Sequence, residues 1–160
     1  MNDNSSKKII EIIPSDWKED QILFKVYAIN SCNFNCTYCY NEKPRTNQVL
    51  DLDKLASMLL KFKAVHKRPM NVILIGGETT LHPQLMSFCK LMFINDIKTT
   101  VFTNFSADMS MYLSLLQMNS HIIVSWHGSL DTEQLISKFK QIKKDDYRNM
   151  TFRVMFEYEN

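Results

Sequence analysis

The sequence predicts an α/β fold with about five parallel strands joined by crossover helices. Short apolar runs rich in β-branched residues alternate with amphipathic helical segments, and the alternation closes on a strand. Each strand and its helix take about 30 residues, which is typical of a βαβ unit. This order favours a parallel sheet, either an open doubly wound sheet or part of a barrel.

The first strand and the first helix show the pattern most clearly. The run ILFKVYAI, residues 22–29, is predicted to be the first main strand because it is rich in β-branched and aromatic residues. The segment DLDKLASMLLKFKAV, residues 51–65, follows as a helix with Asp51 as its predicted N-cap. Its apolar side chains recur at helical spacing and predict one buried face: Leu52, Leu55, Leu59 and Phe62.

The later units repeat the alternation. NVILI, residues 71–75, is a nearly continuous apolar run, as expected of a strand buried on both faces. Pro83 suits the first turn of a helix at about residues 83–93. A further helix is expected at residues 108–118, and a capping-box pattern at Asp131 predicts the start of the last one. The remaining predicted strands are residues 98–104 (KTTVFTN), 121–126 (HIIVSW) and 151–158 (TFRVMFEY).

The chain is expected to form one core domain. Residues 1–20 are predicted to be an amino-terminal extension, with KIIEII at residues 8–13 as a candidate short strand, and residues 21–160 to be the core domain. A length of 160 residues with 45% hydrophobic content suits one buried core. No apolar run is long enough to span a bilayer, and the polar start MNDNSSKK lacks the features of a secretory signal. A cytoplasmic location without membrane attachment is therefore expected.

The charge pattern gives no sign of a nucleic-acid partner. The net charge is +2, and the lysines are scattered instead of forming a basic stripe with interleaved aromatic residues. Nucleic acid is therefore not expected as a partner, although a small nucleotide needs no such stripe.

Unusual residues follow each of the first four predicted strands. CNFNCTYC follows the first, GGE the second, TNFS the third and SWHGS the fourth. Loops after the carboxyl ends of parallel strands share one edge of the sheet, where sites gather. Gly76 and Gly77 are adjacent in a chain with only three glycines, which indicates special backbone geometry or a close approach there.

Three of the four cysteines fall within eight residues, as Cys32, Cys36 and Cys39 in a C-x3-C-x2-C pattern. In a reducing compartment, clustered thiols indicate metal or redox chemistry, not a structural disulfide. Thiolates suit both zinc and iron–sulfur clusters. A zinc site would need a fourth ligand from a histidine or from Cys89. Cys89 lies in a predicted helix, where a free cysteine is usually a small core residue.

The cysteine pattern, with Tyr38 just before its last cysteine, resembles the motif of the radical S-adenosylmethionine (SAM) superfamily. GGETTLHP resembles the family's Gly-Gly-Glu motif and also follows the second strand. The resemblance runs from about residue 22 to about residue 158 and implies a partial (β/α) barrel, here an incomplete one. It implies a [4Fe-4S] cluster on the three cysteines with its fourth iron left open for SAM. Reductive cleavage of SAM would give a 5′-deoxyadenosyl radical that abstracts hydrogen from a substrate.

The resemblance also implies roles for individual residues. Cys32, Cys36 and Cys39 would ligate iron, and the backbone around Tyr38 would lie near the adenine. Glu78 would meet the ammonium group of SAM together with nearby backbone groups. No catalytic side chain is assigned. The other residues expected to contact SAM or the substrate are Gly76 and Gly77 after the second strand, Thr103, Asn104 and Ser106 after the third, and Ser125 and His127 at the end of the fourth.

The sequence departs from the family pattern in two places. Thr79 stands where many relatives carry proline, and the chain ends after its fifth main strand where the family's barrel usually has six units. The barrel is therefore expected to be minimal, to be completed by a partner, or to belong to a longer chain. His82, just before Pro83, is expected to be a helix-entry residue and not a ligand.

The resemblance implies two kinds of partner. One is an electron donor of the flavodoxin or ferredoxin type, and the other is an unknown substrate: a peptide, a nucleoside, a small molecule or a partner protein. Two alternatives stay open at this point. The chain could be an activating protein for a glycyl-radical enzyme, or a non-catalytic zinc-binding protein.

Overall fold

The computed structural model describes residues 21–39, 46–126 and 131–154. The candidate strand at residues 8–13, the end of the predicted fifth strand and His127 lie outside the described residues. The strands in the described ranges are β1 (Ile22–Ile29), β2 (Met70–Gly76), β3 (Lys98–Thr103), β4 (His121–Trp126) and β5 (Met150–Val154). The helices there are α1 (Leu52–His66), α2 (Leu85–Ile94), α3 (Met109–Gln117) and α4 (Thr132–Lys140).

The five strands form one parallel sheet in the order β1-β2-β3-β4-β5. The strand order never reverses, so right-handed crossovers place every helix on the same side of the sheet. A doubly wound sheet would instead reverse its order and carry helices on both sides. The structure therefore confirms the predicted α/β fold with five parallel strands, and it selects the open barrel over the doubly wound sheet.

The helices pack against one face of the sheet. A single apolar cluster joins strand residues such as Leu74, Val101 and Ile122 to side chains from all four helices, among them Leu59 and Leu115. None of the helices in the described part of the chain combines the length and the apolar character that crossing a membrane requires.

The other face of the sheet is left uncovered by these four helices. Successive strand residues point to opposite faces, so this face carries the neighbours of the core residues, including Ile73, Phe102, Ile123, Ser125 and Arg153. Ser125 and Arg153 are partners in the register of β4 and β5. In a barrel this is the inner face, and it opens at the carboxyl edge of the strands.

Helix α1 begins as predicted. The carboxylate of Asp51 accepts hydrogen bonds from the backbone N–H groups of Asp53 and Lys54, each at 3.1 Å. The bond from Lys54 is the largest cause that holds the pKa of Asp51 below its usual value. The predicted buried face is also observed, with Leu52 and Leu59 fully buried.

A short 3₁₀ turn (Thr79–Leu81) precedes His82. Helix α2 begins after Pro83 instead of at it, because Pro83 and Gln84 form a turn, closed by the bond from the Leu85 N–H to the His82 carbonyl oxygen at 3.1 Å, and Gln84 is the N-cap. The backbone N–H of Gln84 donates to Nδ1 of His82 at 3.1 Å, so Nε2 of this ring donates to the Leu50 carbonyl oxygen at 2.9 Å. His82 is buried and its two ring nitrogens fix the entry to α2, which agrees with the role expected for it.

Candidate functional site

Three loops lie side by side at the carboxyl edge of the sheet. They are the cysteine loop after β1 (residues 30–39), the glycine loop after β2 (residues 77–78) and the asparagine loop after β3 (residues 104–108). Because β1, β2 and β3 are adjacent and parallel, their following loops leave from the same edge. Hydrogen bonds then join each of these loops to the others.

The glycine loop lies directly against the start of the cysteine loop. The N–H of Gly77 donates to the Ile29 carbonyl oxygen at 2.7 Å, and the N–H of Glu78 donates to that of Ser31 at 2.9 Å. A Cβ on Gly77 would lie 1.9 Å from the Ser31 oxygen. Gly76 has a φ of +144°, and a Cβ there would lie 2.1 Å from the Ile29 oxygen. The adjacent glycines are thus explained by the close approach of the two loops.

The carboxylate of Glu78 joins the glycine loop to the asparagine loop. It is only 1% exposed. Oε1 accepts hydrogen bonds from the Thr80 N–H at 3.1 Å, the Thr80 hydroxyl at 2.6 Å and the Thr103 hydroxyl at 2.7 Å. Oε2 accepts one from the Asn104 N–H at 2.6 Å. A buried carboxylate with four donors is well compensated for the loss of water. Contact of Glu78 with the SAM ammonium group stays a prediction, and the carboxylate already binds four donors of its own chain.

Thr79, which replaces the proline of many relatives, makes a contact that proline cannot make. Its hydroxyl donates to the Phe102 carbonyl oxygen at 2.6 Å, and the side chain is fully buried. This bond ties the turn after the glycine loop to β3. A proline at this position would restrict the backbone of the loop through its ring. With Thr79, a hydrogen bond to β3 restrains the loop instead.

The cysteine loop is tied to the asparagine loop through side-chain amides. Nδ2 of Asn104 donates to Oδ1 of Asn33 at 2.8 Å, and Nδ2 of Asn33 donates to Oγ of Ser106 at 2.8 Å. Asn33 directly follows Cys32. Two of the three residues predicted after β3 thus contact the cysteine loop itself.

The three predicted cysteine ligands lie together on one partly exposed loop. None of the four cysteines, all of which are described, forms a disulfide. Within the loop, the Phe34 N–H donates to Sγ of Cys32 at 3.4 Å and the Cys39 N–H donates to the Cys36 carbonyl oxygen at 3.3 Å. Across the described residues, no group of three or more His, Cys, Asp or Glu side chains is close enough to hold a metal ion. The structure therefore brings the three cysteines onto one loop without gathering their sulfurs around one centre.

Cys89 lies apart from the cysteine loop, in the core beneath α2. Its side chain is fully buried, and burial raises the pKa of the thiol to about 12. The hydroxyls of Thr99 and Ser120 bond to the sulfur and oppose this shift only in part. A thiol that stays protonated is a poor metal ligand, so the observation agrees with a core role for Cys89. The other three thiols lie on one partly exposed loop, and their number and chemistry suit an iron–sulfur cluster with one open iron, although their sulfurs are not gathered around one centre.

The remaining predicted residues lie around the same edge. Tyr38 is half-buried in the cysteine loop, Thr103 is buried at the end of β3, and Ser125 is half-buried near the end of β4. Ser125 and Arg153 share the uncovered face, where Arg153 lies over the Phe102 ring at 4.9 Å.

Sequence reasoning missed Tyr112. Its hydroxyl lies 3.1 Å from the Thr103 hydroxyl and accepts a hydrogen bond from the Ala107 N–H at 3.1 Å. Burial, and next the charge of Glu78, raise the pKa of Tyr112 well above its usual value, so the hydroxyl stays protonated. A tyrosine in an apolar helical stretch gives no sequence signal for this bridge, because its partners come from a separate loop.

The family assignment follows from a family-model comparison. The model described as the radical SAM superfamily matches residues 26–152. The chain belongs to the radical SAM superfamily. The match begins within β1, ends within β5 and includes all three loops, and it confirms the resemblance seen in the cysteine and glycine motifs of this radical SAM protein.

Solved structures agree on the fold. BtrN in complex with AdoMet and 2-DOIA matches with a TM-score of 0.67 at 17% identity, over 82% of this chain and 56% of that one. Selenomethionine BtrN in an open conformation matches with a TM-score of 0.60 at 17% identity, over 82% of this chain and 55% of that one. Hexahistidine-tagged anSMEcpe with bound AdoMet matches with a TM-score of 0.59 at 19% identity, over 84% of this chain and 42% of that one.

This radical SAM protein spans about half the length of those structures. At such identities the likeness shows a shared fold, the partial barrel with five parallel strands. A comparison with curated proteins found no match.

Proposed function

We propose that this chain is a radical SAM enzyme that holds a [4Fe-4S] cluster through Cys32, Cys36 and Cys39 and binds SAM beside it. The observation that carries the proposal is that hydrogen bonds join the cysteine loop, the glycine loop and the asparagine loop at one edge of the sheet. The cysteine motif, the Gly-Gly-Glu motif and the end of β3 are far apart in sequence and adjacent in the fold.

The chemistry of the thiol donors supports a cluster. Three accessible thiols lie on one loop while the fourth thiol is buried in the core, so the set is one ligand short of a closed structural zinc site. When bound, the cluster would supply the electron that cleaves SAM reductively. The chain's own part is to present three thiolates and to leave the adjoining edge of the sheet free for SAM.

The glycine loop supports SAM binding next to that position. Gly76 and Gly77 carry no side chain, so the backbone of the glycine loop can lie directly against the cysteine loop, beside the position proposed for the cluster. The bond from Gly77 to the Ile29 carbonyl oxygen fixes this backbone against the cysteine loop. BtrN and anSMEcpe, which share the fold, each have a solved structure with AdoMet bound. We assign the remaining SAM contacts to Tyr38, Glu78, Thr103, Ser125 and His127, with Asn104 considered separately below.

We propose that the substrate binds over the inner face of the sheet, which the four helices leave uncovered. Ser125 and Arg153 give this face half-buried hydrogen-bonding groups near the carboxyl edge, and Phe102, which is also half-buried, gives it apolar surface. A substrate held there would lie beside the position proposed for SAM at the carboxyl edge of the sheet. A peptide, a nucleoside or another small molecule would suit such a face, with electrons supplied by a flavodoxin or a ferredoxin.

The proposal is tested by the products of SAM cleavage. Anaerobically reconstituted protein with dithionite and SAM is expected to release 5′-deoxyadenosine and methionine. A Cys36→Ala variant should release neither, whereas the matched Cys89→Ala variant should behave as the wild type because its thiol lies in the core. Equal release by the wild type and by Cys36→Ala would remove the cysteine loop from the reaction.

A further inference from the structure

We infer that Asn33, Asn104 and Ser106 form a hydrogen-bonded clamp that positions the cysteine loop against the asparagine loop. The clamp assigns the Asn104 side chain to the neighbouring loop and not to a cofactor. Where it concerns iron binding, the inference rests on the proposed function, but the hydrogen bonds that define the clamp are a property of the protein alone.

The three residues close a ring in which every polar group is complementary. Nδ2 of Asn104 donates to Oδ1 of Asn33 at 2.8 Å, and Nδ2 of Asn33 donates to Oγ of Ser106 at 2.8 Å. The backbone N–H of Ser106 then donates to Oδ1 of Asn104 at 3.0 Å. Each amide uses its oxygen as an acceptor and its nitrogen as a donor, so an apolar or acidic side chain at either position would break the ring.

On the asparagine-loop side of the ring, hydrogen bonds from three other parts of the chain fix the backbone. The Asn104 N–H donates to the buried Glu78 carboxylate at 2.6 Å. Phe105 is fully buried with a φ of 64°, and its N–H donates to the Thr103 hydroxyl at 3.0 Å. Nζ of Lys138 donates to the Phe105 carbonyl oxygen at 2.8 Å. Because its backbone is fixed by these hydrogen bonds, the asparagine loop can hold the more exposed cysteine loop in one position.

The cysteine-loop side of the ring is exposed and stands next to an expected ligand. Asn33 is exposed, directly follows Cys32, and meets Asn104 from 71 residues away in the chain. Restraining the residue beside Cys32 limits the positions that its sulfur can take. Groups that orient metal ligands in this way typically change metal affinity or activity by about 10-fold to 100-fold when removed.

Asn35 provides a matched control within the same loop. It is the same residue type, it is exposed, and it lies between the same two cysteines. Unlike Asn33, it makes no hydrogen bond to another described residue. If only the polarity of the loop mattered, replacing Asn33 or Asn35 would have the same effect. If the clamp matters, only the replacement of Asn33 should have an effect.

The clamp can be tested by pulsed alkylation of the metal-free, reduced protein with iodoacetamide, read at each cysteine by mass spectrometry. Losing hydrogen bonds worth about 1 kcal/mol corresponds to about a fivefold change in an opening equilibrium. Asn33→Ala and Asn104→Ala are therefore expected to raise the alkylation rate of Cys32 by about fivefold or more, and Asn35→Ala to leave it unchanged. Buried Cys89 reports whether the core remains folded in each variant.

Three further variants separate positioning from general destabilisation. Ser106→Ala removes the hydroxyl acceptor and should raise the alkylation rate of Cys32. Ser106→Thr keeps a hydroxyl and should leave the alkylation rate of Cys32 at its wild-type value. The double variant of Asn33 and Asn104 should be no worse than either single one, because both break the same ring. If Cys89 also reacts in an asparagine variant, that variant has unfolded and the Ser106 pair decides the question.

The last measurement is iron retention by reconstituted protein under chelator challenge, which should be about tenfold weaker in Asn33→Ala than in Asn35→Ala. An unchanged rate at Cys32 with Cys89 still protected, or an equal effect of Asn35→Ala, would overturn the clamp. A wild-type protein that binds no iron would instead overturn the proposed function, while the alkylation result would still judge the clamp.

Discussion

The Glu78 carboxylate accepts a hydrogen bond from the backbone N–H of Asn104 at 2.6 Å, and this bond joins the loops after two adjacent strands. Both groups are buried. Glu78 belongs to the Gly-Gly-Glu motif, and the side chain of Asn104 reaches Asn33 beside the first cysteine. One buried carboxylate therefore supports both the glycine loop and, through Asn104, the cysteine loop.

Replacing Glu78 with glutamine is expected to destabilise the fold. The amide would turn an NH2 group toward hydrogen-bond donors that now share the carboxylate, including Asn104 N–H and the Thr103 hydroxyl. We expect a loss of about 2–3 kcal/mol in the free energy of unfolding, measured by urea titration. The matched change Glu133→Gln, at an exposed site in the first turn of α4, should cost less than about 1 kcal/mol. Equal losses would remove the special role of the buried carboxylate.

Glu78→Ala also tests the role of the glycine loop in SAM binding. If the folded fraction of this variant is reconstituted, its SAM affinity should fall more than its iron content, because Glu78 braces the glycine loop while the cysteines keep their thiols. Calorimetric titration with SAM and an iron assay on the same sample make the comparison. Parallel loss of both quantities would count against a role for Glu78 on the SAM side.

Gly77→Ala is expected to separate two loops that now touch. Its Cβ would lie 1.9 Å from the Ser31 carbonyl oxygen, so the backbone must shift and the bond from Gly77 to Ile29 must lengthen. Overpacking of this kind costs about 1–3 kcal/mol, and we expect SAM binding to weaken with it. The control is Ser110→Ala, which adds an alanine at an exposed position in α3. If Gly77→Ala and Ser110→Ala unfold at the same midpoint, the close approach of the two loops is contradicted.

Cys89 predicts how stability depends on alkaline pH. The pKa of its thiol is 9.0 in an ordinary setting and about 12 in the folded core, so the native state keeps a proton that the unfolded state loses. Its contribution is complete below pH 9 and declines as the pH rises through 12, by up to about 1.4 kcal/mol per pH unit. Unfolding free energies measured at about pH 8 and about pH 10 should therefore differ less in Cys89→Ala than in the wild type. An identical pH dependence would show that this thiol titrates normally.

Tyr112→Phe is expected to loosen the asparagine loop from the side of α3. The change removes the hydroxyl that contacts Thr103 and accepts from the Ala107 N–H. Because Thr103 and the Ala107 N–H would lose this hydrogen-bond partner, the free energy of unfolding, measured by urea titration, should fall by about 1–3 kcal/mol. Tyr147→Phe is the matched control, because the Tyr147 hydroxyl bonds to the Phe139 carbonyl oxygen at an exposed position, and it should cost less.

Much of the fold was predictable because its signals are local. Alternating apolar runs and helical spacing gave β1 and β4 with the observed bounds and α1 to within a residue at either end. The start of α2 was misplaced at Pro83 because the true start depends on His82 and its bond to the Leu50 carbonyl oxygen. That contact joins two segments that are separated along the chain, and no local pattern contains it.

The site was predictable at the level of motifs and not of contacts. Cysteine spacing and the paired glycines identify the loops, because both patterns are read along the chain. The partners of Glu78 and the bridge made by Tyr112 lie on other elements, so only the folded chain brings them together. Asn33 carried a weak signal, as a polar residue between two cysteines, but nothing in the sequence separates it from Asn35.

The central claim is that Cys32, Cys36 and Cys39 hold an iron–sulfur cluster, and metal analysis of anaerobically reconstituted protein tests it most directly. We expect about four irons and four sulfides per chain in the wild type and in Cys89→Ala. Cys36→Ala should lose most of both. Protein isolated without oxygen that contains zinc and no iron, or a Cys36→Ala variant that keeps its full iron content, would contradict the account.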